Sequence, residues 1–151
     1  MPSVPLLVLL AVTLLCAVWF DVRARRIPDF LTWPAMGVAL LMRLWGDGLG
    51  EVLDVGLLSG VAGLAAAAAW FGAFAYFSKG GFGWGDVKLA AAIGAVCGVP
   101  LIFTAVACIS LVGALQAGAQ LFWGGKSATK AGLPYAVAMA LGTVWAIWWQ
   151  R

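Results

Sequence analysis

Residues Val4 to Phe20 read VPLLVLLAVTLLCAVWF, a run of 17 residues without a charge. A helix that spans a bilayer needs about 20 apolar residues and at least about 17, so this run is long enough to cross a membrane. A secretory signal peptide carries its basic residues before the apolar core, whereas Arg23, Arg25 and Arg26 follow it here. We therefore predict an uncleaved first membrane helix whose N-terminus lies outside the cell.

The composition of the whole chain supports the same fold class. Hydrophobic residues make up 64% of the 151 residues and charged residues 10%, against roughly 45–50% and about 25% in a soluble domain. So few charges cannot cover the surface of a soluble globule, which excludes a cytosolic enzyme, a disordered tail and a disulfide-rich secreted domain. The net charge of +3 does not indicate nucleic-acid binding, because cytoplasmic loops of membrane proteins collect lysine and arginine. The expected partner is the lipid bilayer.

Five further apolar segments predict an all-α, polytopic helix bundle that forms a single domain over residues 1–151: 30–45, 55–77, 87–97, 101–123 and 131–149. Connections rich in cations alternate with connections that have none, which predicts six crossings with both termini outside. The fourth segment would span only about 16 Å, so it must be a short helix shielded by its neighbours. If it does not cross, the count is five.

Two sequence features suggest how these helices end and pack. Gly56, Gly60 and Gly63 open the third segment at spacings that permit close helix contact. Arg43 lies near the far end of the second segment, where a long side chain reaches water by snorkelling. We therefore predict a close contact along the third helix and an exposed guanidinium on the second.

Cysteine and histidine exclude several kinds of site. The three cysteines lie inside apolar runs without a C-x-x-C pair, and the chain has no histidine. The sequence therefore predicts no metal site and no cofactor. Acid–base chemistry would fall to carboxylates, lysine or tyrosine.

Three acids fall at the face that the topology makes cytoplasmic: Asp21, Asp29 and Asp86. Asp21 ends the first helix, where a carboxylate opposes the helix dipole; a salt bridge to a nearby arginine and a functional role both remain open. Asp29 follows Pro28 and suits a helix N-cap, so we interpret it as structural.

Asp86 belongs to the stretch GGFGWGDVKL, residues 80–89. An N-cap would explain the aspartate, but four glycines in six positions also let a peptide approach the backbone, and the phosphate-binding pattern is absent. Two aspartates from different helices at one membrane face share a proton when they come close. One can then activate water while the other protonates a peptide carbonyl, without metal or histidine.

These residues resemble the type IV prepilin peptidases, membrane aspartic proteases of the GxGD type. Three segments carry the resemblance over essentially the whole chain: DVRARRIPD at 21–29, GWGDVKL at 83–89 and LPYAVAMALG at 133–142. The resemblance implies that Asp21 and Asp86 are the catalytic pair. Residues for substrate binding or loop support would be Gly83, Gly85, Lys88, Pro134 and Tyr135.

The resemblance also implies a substrate and a location. The substrate is a prepilin or pseudopilin precursor, whose short basic leader is cut on the cytoplasmic side of the prokaryotic inner membrane. The chain lacks the cytosolic insertion with paired cysteines, so it resembles the compact, peptidase-only members of tight-adherence (Flp-type) pilus systems and is not expected to methylate pilin. Phe82 and Trp84 are bulky for this loop and would narrow the cleft or anchor the loop at the interface.

Two functions of other classes remain as alternatives. A small ion or solute transporter would use Asp21 and Asp86 as a proton or cation site, but it predicts mid-membrane acids and an inverted repeat. A non-catalytic assembly subunit of a pilus or secretion machine would use the glycine loop for docking. It should tolerate Asp-to-Asn changes at both positions.

Overall fold

The computed structural model describes residues 2–48, 50, 56–78, 82–128 and 134–150. These residues form six helices and no strand: α1 (Val4–Ala24), α2 (Asp29–Asp47), α3 (Leu57–Phe77), α4 (Trp84–Cys97), α5 (Leu101–Ala128) and α6 (Tyr135–Trp149). The predicted all-α membrane bundle is confirmed. Gly80, Gly81, Leu133 and parts of three connections used for the topology lie outside the described residues.

Three of the described helices are long and apolar enough to cross a membrane: Val4–Ala24, Leu57–Phe77 and Leu101–Phe122. α6 is apolar but has only 15 residues. α4 has 14 residues, and every residue from Leu89 to Cys97 is buried. The fourth helix is therefore short and enclosed by its neighbours, as its length requires.

α4 packs against α2 and α3, and its contact with α3 depends on two facing glycines. A Cβ atom on Gly94 would lie 2.7 Å from the carbonyl carbon of Gly63 and 2.9 Å from the Cα of Leu64. Both neighbours are backbone atoms, so no side-chain rotation would relieve the overlap. The close contact predicted at Gly63 is thus present, with α4 as the partner.

Arg43 differs from its prediction, because its side chain turns into the bundle. Only 1% of the residue is exposed, and its guanidinium donates hydrogen bonds to the carbonyls of Ala95 and Val96. The last four carbonyls of a helix have no partner within it. The C-terminal end of α4 supplies such carbonyls beside α2, and the buried guanidinium satisfies two of them.

Candidate functional site

Asp21 lies in the last turn of α1 and is 7% exposed. Its Oδ2 accepts a hydrogen bond of 3.0 Å from the backbone N–H of Ala136, in the first turn of α6. The first N–H groups of a helix lack intrahelical partners, and the positive end of the helix dipole favours an anion. The N-terminus of α6 therefore compensates for the unfavourable position of Asp21 in α1.

α1 ends at Ala24, three residues after this aspartate. Arg25 adopts a left-handed conformation with φ of 51°, and its N–H bonds to the carbonyl of Asp21 at 2.9 Å. The turn brings the Arg25 side chain to the wall of the same cavity that Asp21 lines. Arg25 therefore places a positive charge beside the carboxylate.

Asp86 lies in the first turn of α4, but Gly83 and not Asp86 is the N-cap. The N–H of Asp86 donates to the carbonyl of Gly83 at 3.1 Å, as residues inside a helix do. The N-cap interpretation of Asp86 is therefore wrong: the residue lies inside the first turn of the helix, and its carboxyl group lines the same cavities as Asp21.

The surroundings of Asp86 favour its protonated form. This residue lies outside the three long apolar helices. Burial and then the negative charge of Asp21 raise the pKa of Asp86 to about 7, against a smaller opposing effect of a backbone hydrogen bond from Gly83. Asp86 can therefore hold a proton near neutral pH beside a second carboxyl group.

The two carboxyl groups line two cavities. The larger has a volume of about 610 Å³, with an aromatic wall on α3 and small residues on α5: Trp70, Phe71, Phe74, Gly113, Ala114 and Ala117. The smaller has a volume of about 240 Å³ and includes Arg25, Arg26, Ile27 and Gly85. The pair thus lies between an apolar chamber and a smaller, more basic one.

Phe82 and Tyr135 line the larger cavity together with the two acids. Their ring centroids are 4.8 Å apart in an edge-to-face arrangement, and Phe71 stacks on Phe82 at 5.8 Å. Phe82 is 7% exposed, whereas Trp84 is 66% exposed. Phe82 therefore anchors the loop from inside the bundle and not at a membrane interface. The sequence did not indicate a role for Gly113 at this wall. A Cβ atom there would lie 2.6 Å from Cε2 of Tyr135.

The two glycines of the predicted site serve close approach. A Cβ atom on Gly85 would lie 3.3 Å from the Cβ of Ile27, and one on Gly83 would lie 3.1 Å from Oδ2 of Asp86. Gly83 has an ordinary φ of −80°. These positions thus let the start of α4 approach the α1–α2 connection and leave room for the Asp86 carboxyl group.

Lys88 and Pro134 lie beside the acids without lining either cavity. The Lys88 ammonium group forms a salt bridge with both carboxylate oxygens of Asp29 at 2.7 Å. Asp29 is the first residue of α2, after Pro28 as the N-cap, so its interpretation as a capping residue is wrong. Pro134 is the N-cap of α6, and its carbonyl accepts a hydrogen bond from Gln116.

Within the described residues, no group of three or more histidine, cysteine, aspartate or glutamate side chains could hold a metal ion.

Comparison with known proteins gives two matches. Residues 8–118, most of the chain, match the type IV leader peptidase family. The chain is also 38% identical over 86 residues to the prepilin leader peptidase/N-methyltransferase of Bacillus subtilis (strain 168). That alignment covers 57% of this chain and 34% of the Bacillus protein. No solved structure matches.

Proposed function

Because the chain belongs to the type IV leader peptidase family, we propose that it is an aspartic endopeptidase with Asp21 and Asp86 as its catalytic pair. The substrates are prepilin or pseudopilin precursors, whose leader peptides it removes. The observation that supports this function best is that two carboxyl groups, carried by α1 and α4, line one cavity. One of them is poised to hold a proton near neutral pH.

The reaction uses the pair with one shared proton. The ionised carboxylate takes a proton from a water molecule as the water oxygen attacks the scissile carbonyl carbon, and the protonated carboxyl donates its proton to the carbonyl oxygen. The tetrahedral intermediate then collapses: its C–N bond breaks, and the amine leaves with a proton from the carboxyl that accepted one in the first step, while the other carboxylate takes back a proton from a hydroxyl of the intermediate. The products are the leader carboxylate and the new N-terminus, and the pair again holds one proton.

The reaction takes place on the cytoplasmic side of the prokaryotic inner membrane, because both acids border connections that contain cations. Such connections lie on the cytoplasmic side. Six crossings place both termini outside. We propose that residues 1–151 act as a peptidase domain of the tight-adherence type. N-methylation belongs to the name of the Bacillus protein and is no part of the proposed activity.

Co-expression with candidate precursors in a bacterial host tests this function. Leader removal is measured by gel shift, and the membrane level of each variant is checked. We expect cleavage by the parent chain and none by Asp21→Asn or Asp86→Asn. Asp29→Asn is the matched control, since its carboxylate pairs with Lys88 outside the cavities; it should cleave. Cleavage that persists in Asp21→Asn or Asp86→Asn contradicts the pair, whereas a parent chain that cleaves none of the precursors would favour an assembly subunit or a transporter.

A further inference from the structure

Arg43 is a buried cation at the end of α4 opposite to Asp86. Its Nε donates to the carbonyl of Ala95 at 2.8 Å and its Nη2 to that of Val96 at 2.6 Å. Its Nη1 donates to the carbonyl of Gly56, the N-cap residue of α3, at 3.2 Å. One guanidinium on α2 therefore ties the last turn of α4 to the first turn of α3.

The connection after α4 is built around this guanidinium. Gly98 has a φ of 65°, and a Cβ atom there would lie 2.7 Å from Nη2 of Arg43. The hydroxyl of Ser59 accepts from the N–H of Val99 at 2.9 Å and donates to its carbonyl at 3.0 Å. Arg43 and Ser59 thus hold the same turn by directional hydrogen bonds.

The close contact of Gly94 with Gly63 sets the distance between α4 and α3, but the surface of α4 offers few directional contacts that fix its position along its own axis. Its middle reads AAAIGA over residues 90–95, so its ridges are shallow and interdigitate weakly with neighbouring helices. Its other polar tie is the Lys88–Asp29 ion pair, whose side chains are 33% and 61% exposed. Exposed pairs contribute little to stability. The buried hydrogen bonds of Arg43 are the stronger constraint.

We propose that Arg43 is a positioning residue, which sets the axial position of α4 and thereby holds the Asp86 carboxyl group against Asp21. Asp86 lies nine residues from Ala95, or about 14 Å along the helix, and a short helix transmits an axial shift from one end to the other. An apolar side chain could fill the same volume at a smaller desolvation cost. Unlike an apolar side chain, arginine has a rigid set of N–H donors that bond to carbonyls in fixed directions. The catalytic consequence rests on the proposed peptidase function.

The test measures the protonation of Asp86 directly, in the full chain reconstituted in lipid nanodiscs. The infrared band of the protonated carboxyl is assigned by its loss in Asp86→Asn and followed through a pH titration. Among the described residues, the charged or titratable groups that share a cavity with Asp86 are Asp21, Arg25, Arg26 and Tyr135; Arg43 is at the other end of α4. Because Arg43→Lys keeps the positive charge, a change in the titration of Asp86 would report on the position of the helix.

We expect Arg43→Lys to lower the titration midpoint of Asp86 by at least about one pH unit, because α4 moves away from Asp21 and towards water. Cleavage should fall at least about tenfold, since a misplacement of about 1 Å costs up to about a hundredfold. Leu6→Ala removes a fully buried side chain from the far end of α1. It should destabilise the protein without moving the midpoint.

Ser59→Ala loosens the same turn without leaving a buried charge and is the second variant if Arg43→Lys does not fold. It should lower the midpoint by a smaller amount. A midpoint that does not fall in a folded Arg43→Lys or in Ser59→Ala overturns the proposal, as does an equal shift in Leu6→Ala. If the midpoint falls but the parent chain cleaves no precursor, the peptidase function fails while the positioning of Asp86 stands.

Discussion

Gly94→Ala tests the contact between α3 and α4 directly, because it adds a Cβ atom where the two backbones meet. The added Cβ would lie 2.7 Å from the carbonyl carbon of Gly63, whereas non-bonded carbons prefer about 3.5–4.0 Å. The helices must therefore separate by about 0.8 Å or more, because the opposing atoms are backbone. Overpacking of this kind costs about 1–3 kcal/mol.

Gly72→Ala is the matched control on α3. A Cβ at that position would lie 3.9 Å from Cγ1 of Val87, an ordinary contact. Replacement of a helical glycine by alanine should then stabilise the protein by about 0.5–1 kcal/mol. The same substitution is thus expected to act in opposite directions at two positions of one helix pair. Unfolding in detergent micelles, followed by circular dichroism, measures the difference in free energy between the two variants.

Cleavage should follow the displacement of α4. Asp86 belongs to the helix that Gly94→Ala pushes away from α3, so we expect at least about a tenfold loss of cleavage in the folded fraction. Gly72→Ala should retain cleavage. A Gly94→Ala variant that is as stable and as active as Gly72→Ala would refute the conclusion that backbone contact at Gly63 sets the position of α4.

Three further predictions concern the site itself. The rate of cleavage should fall as pH rises through about 7, because the raised pKa of Asp86 means that its proton is lost there. The rate should also fall in acid, once both carboxyl groups are protonated. A rate that is flat from acidic to mildly alkaline pH contradicts a shared proton. Lys88→Gln should lower the free energy of unfolding by less than about 1 kcal/mol, because its ion pair with Asp29 is exposed. The exchange Asp29→Lys/Lys88→Asp should restore the parent's stability. A loss of several kcal/mol in chemical denaturation would instead show that this ion pair is a main constraint on the position of α4. Phe82→Ala should lower the free energy of unfolding by about 3–5 kcal/mol and abolish cleavage, since Phe82 is buried against Phe71 and Tyr135. Phe77→Ala, at a side chain that is 78% exposed, should change neither stability nor cleavage in the same unfolding and gel-shift assays.

The sequence predicts the helices well because a lipid-facing helix must be apolar along its length. The run from Val4 to Phe20 is enough to identify α1, and the short apolar segment after Asp86 predicts an enclosed helix. Asp21 and Asp86 were also predictable as a pair, since the alternation of cations places the ends of their helices at one face. The structure brings the two side chains into one cavity.

Details that depend on contacts between distant helices were not predictable. Phe82 follows glycines in a loop, and the sequence left open whether it narrows the cleft or anchors the loop at the interface; three aromatic rings from α3 and α6 enclose it. Gly113 lies in an ordinary apolar run, and only the packing of Tyr135 against it explains the residue. No local pattern indicates which helix lies opposite to a given residue. A wrong partner therefore leads to a wrong orientation even when the helix itself is correct.

Asp21 and Arg43 share a physical logic that a residue-by-residue interpretation does not contain. Each charge fits its own helix badly, because Asp21 opposes the dipole of α1 and Arg43 interrupts an apolar run. Each is compensated by the free end of another helix: the N–H of Ala136 at the start of α6, and the carbonyls of Ala95 and Val96 at the end of α4. In a medium without water, the unpaired groups of a helix end need a partner from elsewhere in the chain. A charge that is unfavourable in its own helix therefore indicates that another helix ends beside it, as the ends of α6 and α4 do beside Asp21 and Arg43.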